Sequence, residues 1–288
     1  MTIVVFGGTG QIGRALVPQL VAAGKKVRVI TRDAEKAAAL PAGVEGFVAD
    51  LDRADTLRPA LEGAEAVFLL IANSPIESHQ GLTVLSVILD AKPRHLVYLS
   101  NDISQRTPIV PHAGAKLGIE AAVRAGGVPY TILRPTYFMQ NDAMGKAAIM
   151  NGAYAVPCGL KPLHRVDTRD VADAAARALL DGTCEGRAVL LSSGEEQTGP
   201  EAAELWSQAL GRTVVFPDLT AEEWGEIVKP YMPEWLHFDL MLMYRNLRAT
   251  GSPARPAEMA DQALLLPDGP RSYGAYIAGT AADWLAES

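Results

Sequence analysis

The chain has 288 residues, 49% of them hydrophobic, enough to fill the core of one large α/β domain with or without a smaller companion, and too many for a disordered chain. Its formal net charge is -7 and its basic residues are scattered, so nothing draws it toward nucleic acid or an anionic membrane, and a small molecule is the expected substrate. Met1 runs into an apolar stretch too short for a signal sequence, no stretch reaches the roughly 18 apolar residues of a membrane span, and Cys158 and Cys184 fit no zinc or redox spacing. A cytoplasmic protein with two reduced thiols is the expectation.

Hydrophobic, β-branched runs alternate with alanine-rich stretches through the first half. The strands expected in chain order are Ile3 to Phe6, Val27 to Thr31, Gly46 to Ala49, Ala66 to Ala72, His95 to Ser100 and Pro129 to Arg134. Helices are expected between them at Gln11 to Ala23, Asp33 to Leu40, Ala54 to Glu62, Ser78 to Ala91 and Ala113 to Ala125, the first with a mild kink at Pro18 and the last stopped by Gly126 and Gly127. This order predicts an α/β fold, a doubly wound parallel Rossmann sheet over residues 1–150. After Arg134 the elements shorten. A helix from Asp170 to Leu180, strands at Ala188 to Ser192 and Thr213 to Phe216, and a helix from Glu201 to Leu210 suggest a smaller α/β lobe over 151–288, with part of 160–192 able to join the first unit. Gly251 to Pro256 has the only linker-like composition, and no internal repeat is present.

The segment Gly7-Gly8-Thr9-Gly10-Gln11-Ile12-Gly13 follows the first strand and opens the first helix, the context a dinucleotide-binding turn requires. A side chain at Gly10 would keep a pyrophosphate off the backbone, Gly13 lets helix and strand close up, and the helix amides are left aimed at the phosphates. At the end of the second strand, where a carboxylate would grip the ribose of NAD, the chain reads Thr31-Arg32-Asp33. Arg32 suits a 2′-phosphate, so NADPH is the favoured cofactor, while Asp33 turning inward would keep NAD(H) open. Asp50 and Leu51 follow the third strand, where Asp50 either reaches the adenine or caps the next helix. Ile71, Ala72 and Asn73 end the fourth strand toward the nicotinamide half. Tyr137 and Phe138, after the sixth, fit a substrate cleft and equally an interdomain core.

The glycine turn, Thr31-Arg32-Asp33, Asp50-Leu51, Leu96 to Asn101, Tyr130 to Pro135 with Gln140-Asn141, and Val166 to Ala172 together resemble the NmrA-like branch of the short-chain dehydrogenase/reductase superfamily, over nearly the whole chain. The resemblance implies an NAD(P)-binding Rossmann protein. The branch holds NADPH-dependent reductases of quinones, dyes and phenylpropanoid-type aromatics, and also regulators that sense the cofactor and catalyse nothing. Orthodox members of the superfamily carry a serine after the fifth strand and a Tyr-x-x-x-Lys pair in the next helix, the tyrosine acting as proton donor. Here Ser100 and Lys116 hold two of those places, and His112 stands where the tyrosine would be. The resemblance sets Lys116 against the nicotinamide ribose. His112 either donates a proton or only opens the helix after Pro111, and Ser100 either bonds substrate or only ends a strand.

No metal is expected, because His79, His95, His164 and His237 fall at no ligand spacing; His164 reads as a surface histidine in a loop before Val166. The leading expectation is an NADPH-dependent reductase passing hydride to a small conjugated or aromatic, quinone-like acceptor. A non-catalytic NADP(H) sensor that binds a partner protein also fits the missing tyrosine, and a non-redox biosynthetic enzyme is a third reading. Oligomeric state is not set by the sequence.

Overall fold

The computed structural model describes residues 1–102, 110–252 and 259–287. Its frame is a seven-stranded, wholly parallel sheet. In chain order the first half supplies β1 (Thr2–Phe6), α1 (Gln11–Ala22), β2 (Lys26–Thr31), α2 (Ala34–Ala38), β3 (Val44–Val48), α3 (Ala54–Ala60), β4 (Ala64–Leu69), α4 (Glu77–Ala91), β5 (His95–Leu99), α5 (Pro111–Ala125) and β6 (Tyr130–Pro135). Ile3, Val4, Val5, Val67, Phe68 and Val97 have no exposure, the mark of strands covered on both faces. Helix α1 runs unbroken through Pro18. One further pair of elements completes the layer. Helix α7 (Thr168–Asp181) lies beside α1, and β9 (Ala188–Leu191) pairs with β6, so the strand order is β3-β2-β1-β4-β5-β6-β9. Asp167 caps α7 by accepting from the Arg169 amide at 2.8 Å, and Gly182 ends it in the left-handed region.

The remaining elements build a smaller lobe over the carboxyl edge of that sheet. They are β7 (Tyr137–Phe138), a 3₁₀ segment (Met139–Gly145), α6 (Lys146–Met150), β8 (Leu163–Val166), β10 (Glu196–Gln197), α8 (Gly199–Leu210), α9 (Ala221–Val228), α10 (Glu234–Thr250), α11 (Gln262–Leu265) and α12 (Tyr273–Ala286). The sheet β10-β8-β7 is mixed. The region 160–192 therefore divides, with β8 in the small sheet and α7 and β9 in the large one. Buried Trp206 stacks on Trp284 at 4.9 Å and joins α8 to α12.

Two expectations change. The strand at Thr213 to Phe216 is reduced to one bridge between Val215 and Ala153, because no neighbouring strand is there to extend the ladder. His164 lies in β8 rather than a surface loop; it is 2% exposed, with its ring nitrogens on Ser192 Oγ at 3.0 Å and Glu196 Oε1 at 3.1 Å. Pro253 to Pro256 of the linker-like stretch lie outside the described residues.

Candidate active site

The turn between β1 and α1 is built for backbone alone. Gly7 takes a φ of +78°, and a Cβ on Gly13 would stand 2.3 Å from the Gly7 carbonyl oxygen and 2.4 Å from Gly8 Cα. A Cβ on Gly8 would meet Val29 at 2.7 Å. Gly10 caps α1 with no side chain and no acid follows in the first turn, so the helix amides and their partial positive charge are not answered locally. This cradle fits a pyrophosphate. Arg14, one turn into α1, is pinned there by donating to the Thr9 carbonyl at 3.0 Å, a cation the sequence reading did not single out. Gln11 is exposed and Ile12 buried.

Arg32 is exposed at the end of β2. Its neighbour Asp33 caps α2, accepting from the Glu35 and Lys36 amides at 2.9 and 3.2 Å, and these bonds hold its carboxyl below the usual range. Asp50 is engaged in a local turn, accepting from the Asp52 amide at 3.0 Å, and its backbone exchanges hydrogen bonds with the Thr56 hydroxyl. Leu51 packs on the sheet core.

A cavity of about 420 Å³ opens where β4, β5 and β6 end, roofed by α10. It gathers Ile12, Ile71, Ala72, Asn73, Ser100, His112, Lys116, Tyr137 and Phe138 from five separate stretches of chain, with Leu236, Leu240, Met243 and Tyr244 of α10 opposite. Gly7, Thr9, Gly10, Gln11, Gly13, Arg32, Asp50 and Leu51 are not among its lining residues. They belong to the glycine turn and the ends of β2 and β3.

Within the cavity Lys116 is 9% exposed, and its Nζ donates to Glu77 Oε1 at 2.5 Å and to the Ile71 carbonyl at 3.3 Å. One ammonium hydrogen is left over. Burial pushes the Glu77 carboxyl above its ordinary range, against the pull of the Lys116 ammonium. His112 Nδ1 lies 2.8 Å from Asp239 Oδ1, a carboxylate 3% exposed on α10. The Tyr137 hydroxyl shares a 2.9 Å hydrogen bond with Tyr244. Among the described residues, the buried polar atoms without a partner include Ser100 Oγ and Asn101 Oδ1 in the cavity lining and Glu77 Oε2 beside Lys116. Leaving such a group bare costs about 1–3 kcal/mol, so their presence at a cavity points to a polar ligand. Glu77 and Asp239 were missed in the sequence. Neither sits in a motif, and Asp239 is 127 positions from the histidine it holds.

A Rossmann sheet, a glycine turn open to a pyrophosphate and an apolar cleft at the strands' carboxyl edge define the class of dinucleotide-binding proteins. The chain belongs to the NmrA-like family, whose model matches residues 1–277. It is 32% identical over 224 residues to an NAD(P)H azoreductase of Xenophilus azovorans, covering 77% of this chain and 78% of that one. It is 35% identical over 219 residues to a (4-alkanoyl-5-oxo-2,5-dihydrofuran-3-yl)methyl phosphate reductase of Streptomyces griseus, covering 75% and 77%. Its fold matches the crystal structure of an NADPH-dependent quinone oxidoreductase from Escherichia coli complexed with NADPH, with a TM-score of 0.86 at 21% identity over 96% of this chain and 99% of that one.

Proposed function

We propose that this NmrA-like oxidoreductase uses NADPH to reduce a small conjugated or aromatic acceptor of the quinone type in the cleft beneath α10. The observation that carries this reading is the meeting, in one cavity, of Lys116 and the unpartnered Ser100 hydroxyl with an apolar wall from α10. When bound, the dinucleotide supplies hydride; the protein supplies place and polarity. The glycine turn and the α1 amides hold the pyrophosphate, with the adenine half extending past Arg32, Asp50 and Leu51. Arg32 reads the 2′-phosphate, a role supported by the commitment of Asp33 to the α2 cap.

Around the nicotinamide, Ile71, Ala72 and Asn73 form one side and the free ammonium hydrogen of Lys116 faces the ribose. Glu77 and the Ile71 carbonyl fix that ammonium. Flat acceptors fit the walls formed by Phe138, Leu240 and Met243, whose apolar surfaces exclude water from the transferred hydride. The test is steady-state oxidation of NADPH against a panel of quinones, enones and azo dyes. Turnover with at least one acceptor is expected, lowered on the order of 10²-fold by Lys116→Ala. Tight NADPH binding with no oxidation by any acceptor would refute the reductase reading and favour a cofactor sensor.

A further inference from the structure

We infer that Asp239 is a positioning residue for proton delivery, holding the His112 ring so that Nε2 serves the cleft as proton donor to the reduced acceptor; this rests on the reductase reading above. The ionised Asp239 carboxylate can only accept, so the nitrogen 2.8 Å from it must carry the hydrogen, which assigns N–H to Nδ1. Nε2 is then the nitrogen whose proton comes and goes. It has no partner among the described residues, and His112 lines the cavity together with Ser100 and Lys116.

The arrangement is costly unless it is used or strongly bonded. Asp239 is 3% exposed on α10, beside cavity-lining Leu236, Leu240 and Met243 and on a helix that also brings Tyr244 and Asn246 to the cavity; a leucine in its place would pack without desolvating a charge. Lys116, one helical turn along, is already bound by Glu77 and Ile71, and the Tyr137 and Tyr244 hydroxyls are bonded to each other, so His112 is the lining group placed to carry a proton. Among the described residues, the charged groups that face the ring or share its cavity are Asp239 from α10, Glu77 from α4, Lys116 from its own helix and Asp102 after β5.

With the dinucleotide bound, the hydride that forms a C–H bond on the conjugated acceptor would come from it, leaving it oxidised by two electrons. The acceptor's carbonyl oxygen takes up the electron pair displaced from its π bond. The Nε2–H bond of protonated His112 breaks as an O–H bond forms on that oxygen, and the neutral ring then regains a proton from solvent.

Two readouts test this on the full chain. Nitrogen NMR of protein labelled at histidine nitrogens, with the His112 signals assigned by their loss in His112→Gln, should show an Nδ1–H ring in the unmodified protein. The same measurement should show a shift toward Nε2–H in Asp239→Ala and retention in Asp239→Glu. With NADPH and a benzoquinone as probe, His112→Gln and Asp239→Ala should each lower kcat on the order of 10²-fold with little change in the KM for NADPH, and Asp239→Glu should recover most of it. An unchanged tautomer in Asp239→Ala, or an unchanged kcat in His112→Gln, overturns the inference. If Asp239→Ala does not fold, the Asp239→Glu and His112→Gln pair decides. A chain that shows the Nδ1–H ring and binds NADPH but reduces no acceptor overturns the reductase reading and reduces Asp239 to a link between the two lobes. A reductase whose variants keep full kcat overturns the proton role alone.

Discussion

Gly13 and Gly118 show how differently one residue type is used in this chain. A methyl at Gly13 would lie inside the van der Waals envelope of three backbone atoms that cannot move aside, whereas one at Gly118, exposed on α5, meets nothing within 4 Å. Gly13→Ala should therefore destabilise the fold by about 1–3 kcal/mol and weaken dinucleotide binding, while Gly118→Ala should stabilise it by roughly 0.5–1 kcal/mol. Thermal denaturation of the pair checks both signs. On the function proposed above, cofactor choice turns on Arg32, exposed at the end of β2. Arg32→Glu should raise the Kd for NADPH far more than that for NADH, as measured by fluorescence titration, and equal losses would remove Arg32 from the 2′-phosphate site. The glycines and Arg32 could be picked out in the sequence because their roles depend on neighbours in the chain.

Strand β5 carries a buried histidine whose effect on stability has a definite sign. His95 is 5% exposed, bonded through Nε2 to Thr131 at 3.0 Å, and burial holds its pKa below the ordinary 6.5. In the unfolded chain the ring protonates as pH drops past that ordinary value, while in the fold it resists. Its contribution is thus complete above about pH 6.5 and is lost as the pH falls toward the folded pKa. The stability gap between the parent and His95→Asn should shrink between pH 7.5 and the folded pKa, read by denaturant titration at each pH. A constant gap would show that the ring is not held neutral. Helix α5 carries a second group, Glu120, whose contribution is also lost on acidification. Burial raises the Glu120 carboxyl, but the hydrogen bonds from Arg134 and Arg124 outweigh it and the net shift is downward. That stability is present above the ordinary carboxylate pKa and is lost as the pH falls through the lowered one, so Glu120→Gln should flatten the acid limb of the unfolding curve.

At the scale of the whole molecule, the cleft exists because the chain leaves the sheet after β6 to begin the small lobe, returns through α7 and β9, and leaves again to complete it. Helix α10 then lies across the strand ends and closes the cavity. Leu240→Trp should fill part of that space, raising the acceptor KM or abolishing turnover while NADPH affinity stays near the parent value. Equal losses of acceptor and NADPH binding would place Leu240 in the scaffold of both sites. Two cores on the faces of the sheet and a third in the small lobe leave the cleft at their junction, where packing is least complete.

Much of this molecule was written in local order. Continuous apolar runs, alanine-rich helices and the glycine turn determined the parallel sheet and its phosphate cradle, because strand, helix and turn preferences act between residues close in sequence. Lys116, His112 and Ser100 could be proposed as a group because the family resemblance matched them to the serine and Tyr-x-x-x-Lys places, with His112 and Lys116 one helical turn apart. What surrounds them was settled only by the tertiary structure. Glu77 reaches Lys116 from a separate helix, Asp239 reaches His112 from the far lobe, and Tyr244 meets Tyr137 from the same distant helix. Those contacts depend on how α4 and α10 pack against the sheet edge, and no spacing along the chain encodes that packing. The sequence by itself thus determined a dinucleotide fold, while the docking of α4 and α10 decided that Glu77 bonds Lys116 and that Asp239 lies against His112.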